Sequence, residues 1–209
     1  MTPDSPGSRG QAPPLVLASA SPRRTALLDR WGLPHTVDPP RIPEDVLEGE
    51  TPRAHVERLA REKALAVAAR HPGALVLAGD TVVVVDDEIL GKPDDQEHAA
   101  AMLRRLQGRG HGVLSGLALA GPEPGTIRSR WDGARVVFRA LDEWDIQGYL
   151  ATGEPLDKAG SYGIQGFGGT LVTRVEGDYY TVVGLPASGL VALLEESGWR
   201  CAYGSLAPR

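Results

Sequence analysis

Near the start of the chain, Ser19-Ala20-Ser21-Pro22-Arg23-Arg24 brings two hydroxyls and two guanidiniums together. At the start of a helix these residues would form an anion site, because first-turn N–H groups are unpaired and an arginine fork matches phosphate oxygens. Two lysines, Lys63 and Lys92, lie further on, with two acids: Glu44 in Ile42-Pro43-Glu44-Asp45 and Asp80 inside the apolar run from Leu75 to Val85. Carboxylates suit a hard divalent cation, and lysines and arginines suit phosphates. That is the inventory of metal-assisted phosphoryl transfer. Each residue also has a plain alternative. Ser-Pro followed by basic residues starts helices that bind nothing, Asp80-Thr81 can make a bulge or turn, Lys63 can snorkel from the core edge, and Lys92 and Glu44 can be solvated loop residues.

The elements that would position them follow from pattern. Leu15-Val16-Leu17 reads as a strand leading to a helix from Pro22 to Trp31 that stops at Gly32. Ser21 is its N-cap, accepting a first-turn N–H through its hydroxyl, and Pro22 takes the first helical position. Thr51-Pro52 announces a second helix, Arg53 to Arg70, whose inward stripe is Val56, Leu59, Ala60, Ala64, Val67 and Ala68, with Lys63 inside it. Ala74 to Ala78 is a buried strand, interrupted at Gly79-Asp80-Thr81 and resumed at Val82 to Val85, with Asp86-Asp87 turning into Glu88-Ile89-Leu90 as a hairpin. An acid at a strand end is well placed, since ligands of open α/β sheets gather there.

Asp94 or Asp95 caps a third helix, with Ala99, Met102, Leu103 and Leu106 inward. Strands are expected over His111 to Ala120 and Thr126 to Ala140, then a short helix from Asp142 to Ala151. Gly153 to Gly169 reads as a functional loop or short irregular strand, Thr170 to Val175 and Tyr179 to Val183 as a second hairpin, and Ala187 to Glu196 as a last helix. Strands and helices mixed in this order predict an α/β fold with a mixed sheet.

The 209 residues, 42 % apolar and 23 % charged, fit a single domain over residues 14–209 behind a Pro/Gly-rich mobile tail, residues 1–13. A net charge of −5 gives no general attraction to nucleic acid or to an anionic membrane, so any polyanion must meet a local basic pocket. No apolar run approaches the roughly 20 residues of a membrane span, and the polar N-terminus lacks the pattern of a leader, which points to the cytoplasm. Cys201, the only cysteine, is read as a packed or incidental thiol and excludes an internal disulfide. No P-loop is present, Gly166-Phe167-Gly168-Gly169 lacks the strand-turn-helix context of a dinucleotide site, and Ser19 and Ser21 lack a nucleophile elbow. The histidines show no His-x-x-x-His pair for zinc, and Arg109-Gly110-His111 reads as structural.

Taken in order, several segments resemble the Maf proteins, nucleoside triphosphate pyrophosphatases. They are Leu17-Ala18-Ser19-Ala20-Ser21-Pro22-Arg23-Arg24, Glu44, Ala60-Arg61-Glu62-Lys63-Ala64, Gly79-Asp80-Thr81, Gly91-Lys92-Pro93 and Asp157-Lys158-Ala159-Gly160-Ser161-Tyr162-Gly163-Ile164-Gln165-Gly166. The correspondence spans about Leu15 to Leu194 and is closer to the type acting on dTTP and UTP than to the sister type acting on 7-methyl-GTP, which carries an aromatic in place of Arg23. The resemblance implies a curved mixed sheet flanked by helices, related to the inosine triphosphatase fold, and often a homodimer. It implies Ser19, Arg23, Arg24, Lys63 and Lys92 on the phosphates, Glu44 and Asp80 on a Mg²⁺ or Mn²⁺ ion, and Asp80 as proton acceptor from the attacking water. Lys158 and Gln165 would read the uracil or thymine edge, one donating to a carbonyl and the other offering donor and acceptor. Two departures stand out: Arg41, where an acidic or small residue is usual, bears on metal affinity, and Ser115 replaces a common threonine. A nucleotide-binding regulator of septum formation without turnover is the rival from another class.

Overall fold

In a computed structural model that describes residues 12–209, one mixed sheet of seven strands runs in the order β2-β1-β3-β5-β6-β7, with β4 paired to β3. The expected tail lies, up to residue 11, outside the described residues. The strands are β1 (Leu15–Ala18), β2 (Thr36–Val37), β3 (Leu75–Val85), β4 (Glu88–Leu90), β5 (Gly110–Ala120), β6 (Ile127–Phe138) and β7 (Val172–Glu176). β1 pairs in parallel with β2 and β3, and every other pairing in this sheet is antiparallel.

Side-chain alternation along the strands sorts the core. Leu15, Leu17, Leu75, Leu77, Leu117 and Leu119 face helices α1 (Pro22–Arg30) and α6 (Ala187–Glu196), while Val16, Ala18, Val76, Ala78, Ala118 and Ala120 face α2 (Pro52–Ala68). Small residues on the second face let α2 sit close: a Cβ on Gly116 of β5 would lie 2.2 Å from the Val56 carbonyl oxygen of α2. The far end of the sheet packs on α3 (Gln96–Leu106) and α4 (Glu143–Leu150), with Phe138 and Tyr162 between them.

Capping follows the sequence at Thr51, which accepts the Ala54 N–H, at Asp95, which accepts the His98 N–H, and at Asp142, whose capping box with Asp145 starts α4. Asp86 and Asp87 have φ of 52° and 62°, the left-handed pair that a two-residue hairpin requires.

Four expectations change, and one element is new. Ser21 is the N-cap of α1, but its hydroxyl makes no capping bond; its own N–H donates to Ser19 Oγ instead. Gly79-Asp80-Thr81 does not interrupt the strand, because β5 pairs with all of β3 from Val76 to Val84. Tyr179 to Val183 is helix α5, since the Asp178 side chain accepts the Tyr180 N–H and caps a helical turn, leaving β7 to pair with β6. Gly153 to Gly169 is the loop and not the short strand of the two alternatives, carrying the 3₁₀ turns Glu154–Asp157 and Ala159–Ser161 and the start of Phe167–Leu171. A closing hairpin, β8 (Trp199–Cys201) with β9 (Leu206–Pro208), was not expected.

Candidate active site

β1 accompanies β3 only from Leu75 to Ala78, and β4 accompanies it only from Val83 to Val85. Between them, residues 79–82 have a strand partner on the β5 side alone. The sheet is open at this point. Adjacent residues of a strand point to opposite faces, yet Asp80 and Thr81 both line the same cleft of about 290 Å³, which passes through the opening.

Asp80, 7 % exposed, points toward α2, where Lys63 Nζ donates to its Oδ1 at 2.7 Å. The same ammonium lies 3.0 Å from Glu44 Oε1, so two carboxylates from distant segments converge on one cation. Lys63 is itself buried, and its apolar stem continues the inward stripe of α2. The plain alternative, a lysine snorkelling from the core edge, therefore gives way to a placed charge.

Glu44 stands on a stretch without secondary structure that is tied at both ends. Asp38 is held by Arg70 and His71; the Glu50 carboxylate takes hydrogen bonds from His55 and Arg58, and Arg58 also donates to the Asp45 carbonyl at 3.0 Å. Those Arg58 bonds hold Glu50 far below the usual carboxylate range, at about 2. Sequence reasoning passed over Glu50, His55 and Arg58; the signal was an acid just before a helix cap with two bases on the first turns after it.

On the other face, Arg24 is buried and all three of its guanidinium nitrogens are engaged. Nε donates to the Gly184 carbonyl, one terminal nitrogen to Ser19 Oγ and the other to Thr81 Oγ1. Thr81 then donates to Ser115 Oγ, whose proton goes to the Thr181 carbonyl, because each hydroxyl has one hydrogen to give. A threonine at 115 would supply the same hydroxyl, so that departure leaves the chain of bonds intact. Burial works against the Arg24 charge, and Asp80 supports it. Ser19 Oγ accepts from both Ser21 N–H and Arg24, which leaves its own proton free to donate.

Arg23 and Lys92 complete the basic walls, and Lys158 lines the opposite rim with its Nζ on the Glu154 carbonyl at 2.7 Å and on Asp157. The Gly160 N–H donates to the Gly91 carbonyl, tying the Lys92 loop to the Lys158 segment. Ser19, Arg23, Arg24, Glu44, Lys63, Asp80, Lys92 and Lys158 are thus brought to one cleft. Gln165 is not: it is exposed and outside the lining, although its neighbours Gly163 and Ile164 belong to it. Among the described residues no cluster of three or more His, Cys, Asp or Glu side chains is placed to hold a metal, so Glu44 and Asp80 are a pair of carboxylates only.

The Maf-like protein family model matches residues 14–197. The chain belongs to the Maf-like proteins. A dTTP/UTP pyrophosphatase of Myxococcus xanthus is 54 % identical over 192 residues, covering 90 % of this chain and 96 % of that one. Another dTTP/UTP pyrophosphatase, of Moorella thermoacetica, is 53 % identical over 184 residues, 86 % of this chain and 93 % of the relative. Among solved structures, a nucleoside-triphosphatase / dITP/XTP pyrophosphatase of Mycobacterium abscessus overlaps with a TM-score of 0.42 at 19 % identity, over 88 % of this chain and 94 % of its own. In this Maf-like protein no described helix is long and apolar enough to cross a membrane.

Proposed function

We propose that this Maf-like chain, as one domain over residues 14–209, hydrolyses dTTP and UTP between the α- and β-phosphates, giving the monophosphate and pyrophosphate. The observation that carries the reading is the buried Asp80 carboxylate on the floor of a cleft walled by Ser19, Arg23, Arg24, Lys63 and Lys92. Asp80 accepts the proton as water adds to the α-phosphorus and its bond to the bridging oxygen breaks, that oxygen leaving with the electron pair on pyrophosphate. Arg23, Lys92 and the free Ser19 proton neutralise and orient the phosphate oxygens. Arg24 holds Ser19 in place, and Lys63 holds the Asp80 carboxylate aimed through its hydrogen bond to Oδ1.

The donor set fits a divalent cation. Glu44 and Asp80 offer hard oxygens that already share one positive charge, with phosphate oxygens and water left to complete the shell. When bound, Mg²⁺ or Mn²⁺ would neutralise phosphate charge and polarise the scissile group. Lys158 and Gln165 are assigned to the base edge: Lys158 lines the cleft, and Gln165, exposed outside the lining, directly follows Ile164, which belongs to it. The cytoplasmic setting and the homodimer implied by resemblance belong to the same reading.

Pyrophosphate release from a panel of nucleoside triphosphates, with and without Mg²⁺, tests it. dTTP and UTP should be cleaved far better than CTP or 7-methyl-GTP, because a site that hydrogen-bonds one base edge leaves buried groups unpaired against another. Equal turnover of CTP or 7-methyl-GTP defeats the base assignment, and absence of monophosphate from dTTP and UTP defeats the reaction.

A further inference from the structure

The glycine-dense segment after α4 winds around one carboxylate that no role above uses. Glu154 Oε1 accepts the Tyr149 hydroxyl at 2.9 Å and the Gly168 N–H at 3.1 Å, and its Oε2 accepts the Phe167 N–H at 2.8 Å. Its main-chain carbonyl takes Lys158 Nζ, and the Tyr149 oxygen in turn accepts the Gly163 N–H at 3.1 Å. The glycines are what this wrapping demands. A Cβ on Gly166 would lie 2.1 Å from Glu154 Oε2, one on Gly168 would lie 2.6 Å from the Tyr149 hydroxyl, and one on Gly163 would lie 2.7 Å from Lys158 Cε.

We propose that Glu154 is a positioning residue for nucleotide selection: its carboxylate fastens Gly163 to Gly168 and its carbonyl fastens Lys158, so that one residue sets both halves of the base-side rim. The proposal rests on the nucleotide pyrophosphatase reading. Asp80, Lys63 and Arg24 lie on the sheet and the helices packed on it and have no bond to this unit, so the fastening acts on substrate placement and not on the proton transfer. Burial raises the Glu154 carboxyl pKa, but hydrogen bonds from Gly168, Tyr149 and Phe167 outweigh it and hold the group ionised, the form that accepts every one of these donors. Without them the N–H groups of Phe167 and Gly168 lose their acceptor, and residues 163–168 keep local turn bonds, which are weak over so few residues, and the packing of Ile164.

Glu154→Gln, Gly166→Ala and Tyr149→Phe in the full chain test it, with thermal melting, amide hydrogen exchange and steady-state kinetics on UTP, dTTP and CTP. Glu154→Gln turns an amide N–H toward donors and should speed exchange over residues 163–169 while β3 and β5 keep their protection. KM for UTP should rise about tenfold with kcat within a few-fold, a loss comparable to one buried hydrogen bond, and the preference for UTP over CTP should shrink. Gly166→Ala should reproduce this pattern from the other side of the contact, and Tyr149→Phe should give a smaller version of it. Unchanged exchange in the segment, or faster exchange with KM and preference both unchanged, overturns the proposal. So does an equal fall in kcat for every substrate without a change in KM. If Glu154→Gln does not fold, the same outcomes are read from Tyr149→Phe. A wild-type enzyme that fails to discriminate UTP from CTP defeats the base assignment by itself, and Glu154 is then judged on exchange and KM.

Discussion

At the scale of single residues, the proposed roles separate a group that does chemistry from groups that hold it. Asp80→Asn should keep the fold and lower kcat by roughly two to four decades, the range for loss of a general base. Near-normal turnover in a purified, folded Asp80→Asn protein would remove the assignment. Arg24 and Lys92 were both read as phosphate ligands, but their surroundings differ. Lys92 is exposed, so Lys92→Ala should change stability by no more than about half a kcal/mol while raising KM and lowering kcat. Arg24→Ala empties a buried position and strands the Gly184 carbonyl, so it should cost about 3 kcal/mol as well as activity. Denaturant melts beside kinetics separate the two. Asp80, Lys63 and Arg24 were legible in the sequence because each is a polar residue in an apolar or capped pattern that gives it no local partner. Glu44 was a weak signal, an acid in an unpatterned stretch that the family resemblance strengthened, and Glu154 and Glu50 were not legible, since what they bind becomes adjacent only after folding.

At the scale of elements, the closeness of α2 to β5 decides where Lys63 meets Asp80. Gly116→Ala would press a methyl group on the Val56 carbonyl of α2, at 2.2 Å by ideal geometry, and the helix must retreat. A loss of about 1–3 kcal/mol is expected, with a drop in kcat because Lys63 moves with the helix. Gly148→Ala, on the exposed face of α4, meets nothing within 4 Å and should stabilise by up to about 1 kcal/mol with no effect on rate. Melting temperature and kcat of both variants check the pair. Elements with long periodic patterns, α2, α3, β5 and α6, matched the sequence to within a few residues. Tyr179 to Val183 did not, because five residues of high strand propensity carry too little period to outweigh the Asp178 cap. β3 was split on paper since Gly79-Asp80-Thr81 looks foreign to a strand, whereas pairing with β5 supplies its backbone bonds throughout.

At the scale of the whole molecule, acid should weaken the fold in two steps. His111 is buried against Phe138 with Nε2 2.8 Å from the Tyr162 hydroxyl, and burial, helped by Arg109, pushes its pKa down to about 4. A depressed pKa means the folded state favours the neutral ring. That stability is complete above the ordinary value of 6.5 and is lost as pH falls toward 4, about 3 kcal/mol in all. Glu50, depressed to about 2 chiefly by Arg58, adds a second loss below 4.5. His111→Gln should therefore flatten the fall in melting temperature between about pH 7 and about pH 5 and leave the lower step. An unaltered profile would clear His111 of the role. The opening in the sheet beside residues 79–82 has a consequence for change over time. Longer or shorter surface connections leave Asp80 where it is, but one residue gained or lost between Leu75 and Asp80 turns the carboxylate to the opposite face, away from Lys63. On the proposed assignment the reaction is stored as a parity, an even position on one strand, whereas the choice of base hangs from turns outside the sheet. Descendants of such a protein are free to change what they cleave while keeping how they cleave it.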